Sequence, residues 1–423
     1  MLNATVGGGS SNDATAEAAT IAGGADNAAA GGGSFIGGGS SNNASGTSST
    51  IAGGAGNGAS GEGAAVAGGV NNIASSQYAS IGGGTQNRAS GSASFIGAGV
   101  ANTTAGYRSV IVGGEQNIIT AAGDRAIISG GSQNSITGAF STIGGGVQNL
   151  NQGEYSVIAG GRSDTIVAPS DNSTISGGYN NVATNSYSTI SGGSGNRALA
   201  LSSTIAGGDG NQASGRWSSI SGGQNNAVAS DHAIVAGGNG NRISGQFSGI
   251  LGGDRDTVLG PNSTIGGGRL NKIIATADFS AIGGGQNNRI NNGNSVIAGG
   301  SGNIISADGA AIGGGGENQV AGLNGFVGGG QLNQATGQTA TIAGGRLNQA
   351  TDRFAFVGGG DRNIASGPGA VVAGGRRTME CSAPLATRHR AYRRRWLGAT
   401  ATRHRPQPVL WAVATATTLR QPR

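Results

Sequence analysis

An isoleucine or valine followed, one residue later, by a glycine pair recurs from Val6 to Val372. The step between these anchors (Val6, Ile21, Ile36, Ile51 and onward) is fifteen residues, except for the steps of seventeen that end at Ile128, Ile175 and Ile282. A fixed period of this size, with almost no linker between units, belongs to a stack in which each unit buries its apolar side only against its neighbours. The 24 complete repeats follow I-x-G-G-x-x-N-x-A-S-G-x-x-S-T. Counting the anchor as position one, the seventh position is Asn in 22 repeats and Asp in two, Asp164 and Asp256. Asn tolerates a left-handed turn, and stacked Asn amides can hydrogen-bond along a ladder, so either role suits one corner of a coil. Asn27, Asn42, Asn57, Asn72, Asn87, Asn102, Asn196, Asn211 and Asn226 are therefore candidate ladder residues. The glycine pair, broken only by Ala98, suits a turn that needs positive φ or a close backbone approach.

The repeat contains two strand patterns. N-x-A alternates with a period of two, as a short strand with one buried face does. Acidic and basic residues gather at positions five, six, eight and twelve, as at Arg162, Arg88 and Glu62, and avoid the anchor and its surroundings. Along the anchor strand, positions fourteen and one face one way while fifteen and two face the other. Both faces lack charge, and a strand uncharged on both faces is usually buried on both. One face lines the coil; the other needs a second cover, most simply other copies of the chain. The expected fold is thus an all-β parallel β-roll or β-solenoid of about 24 fifteen-residue coils, a rod on the order of 120 Å long at roughly 4.8 Å per coil. Its candidate oligomer interface is the strand carrying Thr20, Phe35, Thr50, Phe95, Thr189, Thr204, Phe326 and Phe356.

The charge balance divides the chain. Residues 376–423 hold eleven of the 25 basic residues and one of the 19 acidic ones, Glu380, so the 14 basic and 18 acidic residues that remain leave the body at −4. Such a body has no electrostatic footprint for nucleic acid. The basic segment repeats itself: Thr387-Arg388-His389-Arg390 recurs as Thr402-Arg403-His404-Arg405, and Trp396 and Trp411 are also fifteen apart. Asn-Thr-Ala-Ser written AAC ACG GCA TCG, read one nucleotide later, gives ACA CGG CAT CGG, which is Thr-Arg-His-Arg. The expected organisation is a repeat solenoid over 1–375 and a disordered tail over 376–423 that is the repeat's own coding sequence out of frame.

Chemistry-bearing residues are sparse. The histidines are His232, His389 and His404, too few and too scattered for a zinc set or a Ser-His-Asp arrangement. Asp124, Asp171 and Asp278 each lie four residues before the anchor that ends a seventeen-residue step. Calcium is one reading, but Asp124 and Asp171 are three coils apart, roughly 14 Å, so they read as solvated loop-tip charges. The glycine-rich runs do not end in Gly-Lys-Ser/Thr and read as turns. No catalytic, cofactor or metal site is expected, and no cofactor. No apolar run is long enough to span a bilayer as a helix, so no membrane insertion is expected.

The run Ala44-Ser45-Gly46-Thr47-Ser48-Ser49-Thr50-Ile51-Ala52-Gly53 has the form A-x-G-x-x-S-x-[AI]-x-G, repeated over nearly all of residues 6–375. It resembles the head repeat of YadA-like trimeric autotransporter adhesins. That resemblance implies a left-handed parallel β-roll, a homotrimer, display at a bacterial cell surface and adhesion to extracellular matrix or to other cells. Family heads more often step by fourteen, and the second Gly looks like the extra residue. The chain opens in mid-repeat, and no stalk, anchor or signal peptide is visible, so the expectation is a head fragment. The alternatives are a structural fibre shaft, or an ice-binding solenoid, against which the interrupted Thr pattern at position fifteen argues.

Overall fold

The computed structural model describes residues 3–376 and the strand Glu380–Cys381. Every element is a two-residue β-strand, and each coil supplies two of them, as Thr20–Ile21 and Ala28–Ala29 do. The anchor strands, from Thr5–Val6 to Val371–Val372, form one parallel sheet of 25 strands. Each pairs with the same strand of the next coil, Thr20 opposite Phe35 and Ile21 opposite Ile36. The N-x-A strands form a second parallel sheet, from Asp13–Ala14 to Glu380–Cys381. A third column of single-residue parallel bridges at position five runs from Ser10–Ala25 to Asp361–Arg376. The molecule is an all-β parallel solenoid, and the sequence pattern of two strands understates it by this third column.

The second sheet reaches past residue 375, since Ile364 and Ala365 pair with Glu380 and Cys381. The rest of the basic tail, with His389, His404 and the out-of-frame reading, lies outside the described residues.

Strands this short close a coil because left-handed backbone turns the chain at fixed points. Positive φ recurs at position four, as at Gly24 (98°), at position six, as at Asp26 (57°), and at the third residue before the next anchor, as at Ser48 (55°). A Cβ on Gly24 would stand 2.1 Å from the Gly39 carbonyl oxygen of the next coil and 2.7 Å from Asn27 Nδ2, so only glycine fits. On Gly23 it would meet nothing within 4 Å, and Ala98 occupies that permissive third position. Of the glycine pair, the second is the one the fold requires.

The seventeen-residue steps do not break the register. Val110 and Ile111 pair with Ile127 and Ile128, and the two extra residues extend the turn between the second strand and the next anchor. The core is a thin column of anchors facing position nine, such as Ile21 with Ala29 and Ile36 with Ala44, all fully buried. One anchor and one facing side chain cannot offset the entropy of ordering a coil alone, so stability belongs to the stack.

Candidate functional site

Inside one corner of the rod, the seventh-position asparagines form a continuous buried ladder. Asn27, Asn42, Asn57, Asn72, Asn87, Asn102, Asn196, Asn211 and Asn226 are all at most 1% exposed. The backbone N–H of Asn42 donates to Asn27 Oδ1 at 3.0 Å, and that of Asn57 to Asn42 Oδ1 at 3.0 Å. Asn42 Nδ2 donates to the carbonyls of Gly38 in its own coil and Gly54 in the next, both at 3.0 Å. Each amide thus satisfies three backbone groups around the tight glycine corner. The left-handed role falls to the residue before it, because the asparagine itself must point inward.

Two rungs differ. Asp164 Oδ1 accepts from the backbone N–H of Asn181, and Asp256 Oδ1 from that of Asn271. Their Oδ2 atoms are buried with no partner. Burial pushes both carboxyls above the ordinary aspartate range, against the lowering effect of those hydrogen bonds.

The outer face of the anchor sheet carries the eight candidate interface residues. Thr20, Phe35 and Thr50 stand side by side in consecutive coils, as do Thr189 and Thr204. Phe326 and Phe356 flank Thr341, whereas Phe95 sits between Ser80 and Val110. In the single chain this face is open: Phe35 and Phe95 are 40% exposed, Phe326 41% and Phe356 37%. Positions fifteen and two, which share this face, carry no charge in any coil. At five coils they also match large with small. All four phenylalanines at position fifteen are followed at position two by glycine (Gly37, Gly97, Gly328, Gly358), and the glycine at fifteen, Gly249, is followed by Leu251. The Phe35 ring lies 3.5 Å from where a Gly37 Cβ would be.

A third feature is absent from the sequence reading. At the left-handed residue three before the anchor, aromatic side chains stack along the rod's edge. Phe140 and Tyr155 lie with ring centroids 4.8 Å apart, and His232 is sandwiched between Trp217 and Phe247 at 4.8 Å on each side. The Arg125 guanidinium caps Phe140 at 5.1 Å. His232, too far from the other histidines in sequence to suggest a zinc or catalytic set, is exposed and is the middle of a stack. The available signal was the fifteen-residue spacing of Trp217, His232 and Phe247.

Charge gathers at the same edge and on the second sheet. Arg216 donates to Asp231 from Nε at 3.0 Å and from Nη2 at 2.7 Å, which holds the Asp231 carboxyl below its usual range. The loop-tip aspartates are more than solvated charges: Asp124 Oδ1 accepts from the Tyr107 backbone N–H at 2.9 Å and Asp171 Oδ1 from that of Glu154 at 3.1 Å. Beside the second sheet, at the left-handed sixth position, Gln116, Gln133 and Gln148 form an amide chain at 3.1 and 3.0 Å along a shallow open groove over Thr103 and Ile118. Among the described residues, no cluster of three His, Cys, Asp or Glu side chains could hold a metal ion, and no helix is long and apolar enough to cross a membrane. No protein-family model matches the chain, and no curated protein matches its sequence.

Proposed function

We propose that the rod is a non-enzymatic, surface-displayed adhesive module, a left-handed roll that assembles as a homotrimer through the outer face of its anchor sheet. On this reading it is the head of a bacterial trimeric adhesin, and its partners are two further copies of itself and ligands in extracellular matrix or on other cells. The observation that carries the assembly is the charge-free strip that positions fifteen and two form in every coil, with each of its phenylalanines set beside a glycine. A solvated surface places no limit on the combined bulk of positions fifteen and two. Beside each phenylalanine of the strip and beside Leu251 stands a glycine, which limits the tallest points of the charge-free strip, as packing against a second surface requires. The adhesin assignment rests on the resemblance of the repeat to YadA-like heads, and the length of a thin solenoid suits display at a distance.

Sedimentation equilibrium of the full chain tests the assembly. A species of about three times 40.6 kDa is expected, and a folded monomer at micromolar concentration would sink it. Displayed on a bacterium that lacks adhesins of its own, the chain is expected to confer attachment to matrix-coated or cell-coated surfaces.

A further inference from the structure

The aromatic edge carries more than the stacks. Ten consecutive coils, from Phe140 to Phe279, present their left-handed tip residue along one line, and seven of the ten bear a ring. Left-handed backbone disfavours bulky side chains, and the same position takes Asn172, Ser202 and Asn262 in the other three coils. Stacking compensates this strain at Phe140–Tyr155 and along Trp217–His232–Phe247. It does not at Tyr187, whose neighbours on the line are Asn172 and Ser202, nor at Phe279, which stands between Asn262 and Asn294. These rings are 58% and 61% exposed. They bear the strain and the exposure without an internal partner.

What they do instead is wall slots. On the line of tip residues, Tyr187 and Trp217 flank Ser202, Tyr155 and Tyr187 flank Asn172, and Phe247 and Phe279 flank Asn262. Each pair is separated by two steps of 4.8 Å, roughly 10 Å. A flat ring held against both walls needs only about 7–8 Å, so a planar aromatic ligand would rattle. A puckered, saturated ring with C–H groups on both faces fills the width. The floors are small neutral hydrogen-bonding residues, and the rims are polar: half-buried Asp171 and Ser186, with Arg216 exposed alongside. Apolar walls with a neutral polar floor suit a polyhydroxylated ring, whose C–H faces lie on aromatics while its hydroxyls need donors and acceptors. They do not suit an anion or a flat heterocycle.

We propose that the edge between Tyr155 and Phe279 binds carbohydrate, one pyranose ring entering each slot between flanking aromatic side chains. The inference deepens the adhesive reading by naming a ligand class, and it rests on that reading for where the sugar is met.

Isothermal titration of the full chain with cellohexaose, chitohexaose and mannohexaose tests it, alongside Tyr187→Asn, Trp217→Asn and, as a control on the same edge outside this stretch, where the flanking tip residues are Gly63 and Ala93, Tyr78→Asn. Asparagine is native to this tip position at Asn172 and Asn262, so the variants keep the fold. Saturable binding of at least one hexasaccharide is expected, weakened about tenfold or more by Tyr187→Asn and by Trp217→Asn and unchanged by Tyr78→Asn. Failure of all three sugars to bind, or equal binding by the wild type and both slot variants, overturns the proposal. A monomer that binds sugar would remove the trimer and keep this inference; a trimer that binds none would do the reverse.

Discussion

Asp164 offers Oδ1 to the backbone N–H of Asn181 at 2.8 Å, as an asparagine would, while its Oδ2 occupies the place from which the neighbouring asparagines donate to two glycine carbonyls. An ionised carboxylate there faces oxygen on both sides. Asp256 repeats the arrangement six anchors later.

Their carboxyls are raised in the folded rod by burial, so the fold binds protons more tightly than the unfolded chain does. The stability they support is therefore present below the unfolded aspartate value, near 3.9, and is lost as pH rises through the folded value. Asp164→Asn and Asp256→Asn are each expected to stabilise the rod at neutral pH by about 1–3 kcal/mol and to flatten this dependence. Thermal melts of wild type and double variant across that range check both effects.

Removing a rung should do the opposite. Asn211→Ala takes away the donor to the Gly207 and Gly223 carbonyls and the acceptor for the Asn226 N–H. The buried Asn226 N–H and the part-buried Gly207 carbonyl are left unpaired, the Gly223 carbonyl keeps only the Asp209 N–H, and a loss of about 2 kcal/mol or more is expected. Hydrogen exchange should place the damage in the coils on either side, because each coil touches only its neighbours.

The two glycines of one corner give a contrast within two residues. A Cβ on Gly238, at φ 90°, would lie 2.2 Å from the Gly253 carbonyl oxygen and 2.6 Å from Asn241 Nδ2. Gly238→Ala is expected to cost about 3 kcal/mol or more. Gly237 has open space around it, and Gly237→Ala should be neutral or stabilise by up to about 1 kcal/mol. Chemical denaturation of the two single variants decides the matter, and equal effects would contradict the corner geometry.

Charge placed on the outer anchor face should dissociate the proposed trimer without unfolding the coil. Thr189 and Thr204 are side by side and point outward from the rod. The double variant Thr189→Arg, Thr204→Arg would desolvate two like charges in each interface. A monomeric sedimentation profile with an unchanged far-ultraviolet spectrum is expected.

The period, the parallel two-sheet stack and the inward asparagine were legible because each imposes one residue type on one column. The anchor must be apolar and position nine nearly always is, Thr104 and Asn151 being the exceptions, while the ladder accepts only Asn or, at a cost, Asp. The third bridging column was not legible, since a single bridged residue leaves either side chain free: Ser10, Val70, Glu115 and Arg162 all serve. The left-handed positions were hidden for a related reason. Asp26, Gln86, Ala101 and Leu270 share one such position with no chemistry in common. The aromatic edge was obscured by its own gaps, because Asn172, Ser202 and Asn262 interrupt the column that would have revealed it.

The coil-to-coil hydrogen bonds run along the rod, so a pull on its two ends loads every interface in series with the full force. An interface that gives way detaches one coil while the others hold their register. Each detached coil pays out about 50 Å of extended chain in exchange for one step of the stack. Under tension the rod would behave as a reel, lengthening in equal increments and absorbing work at each.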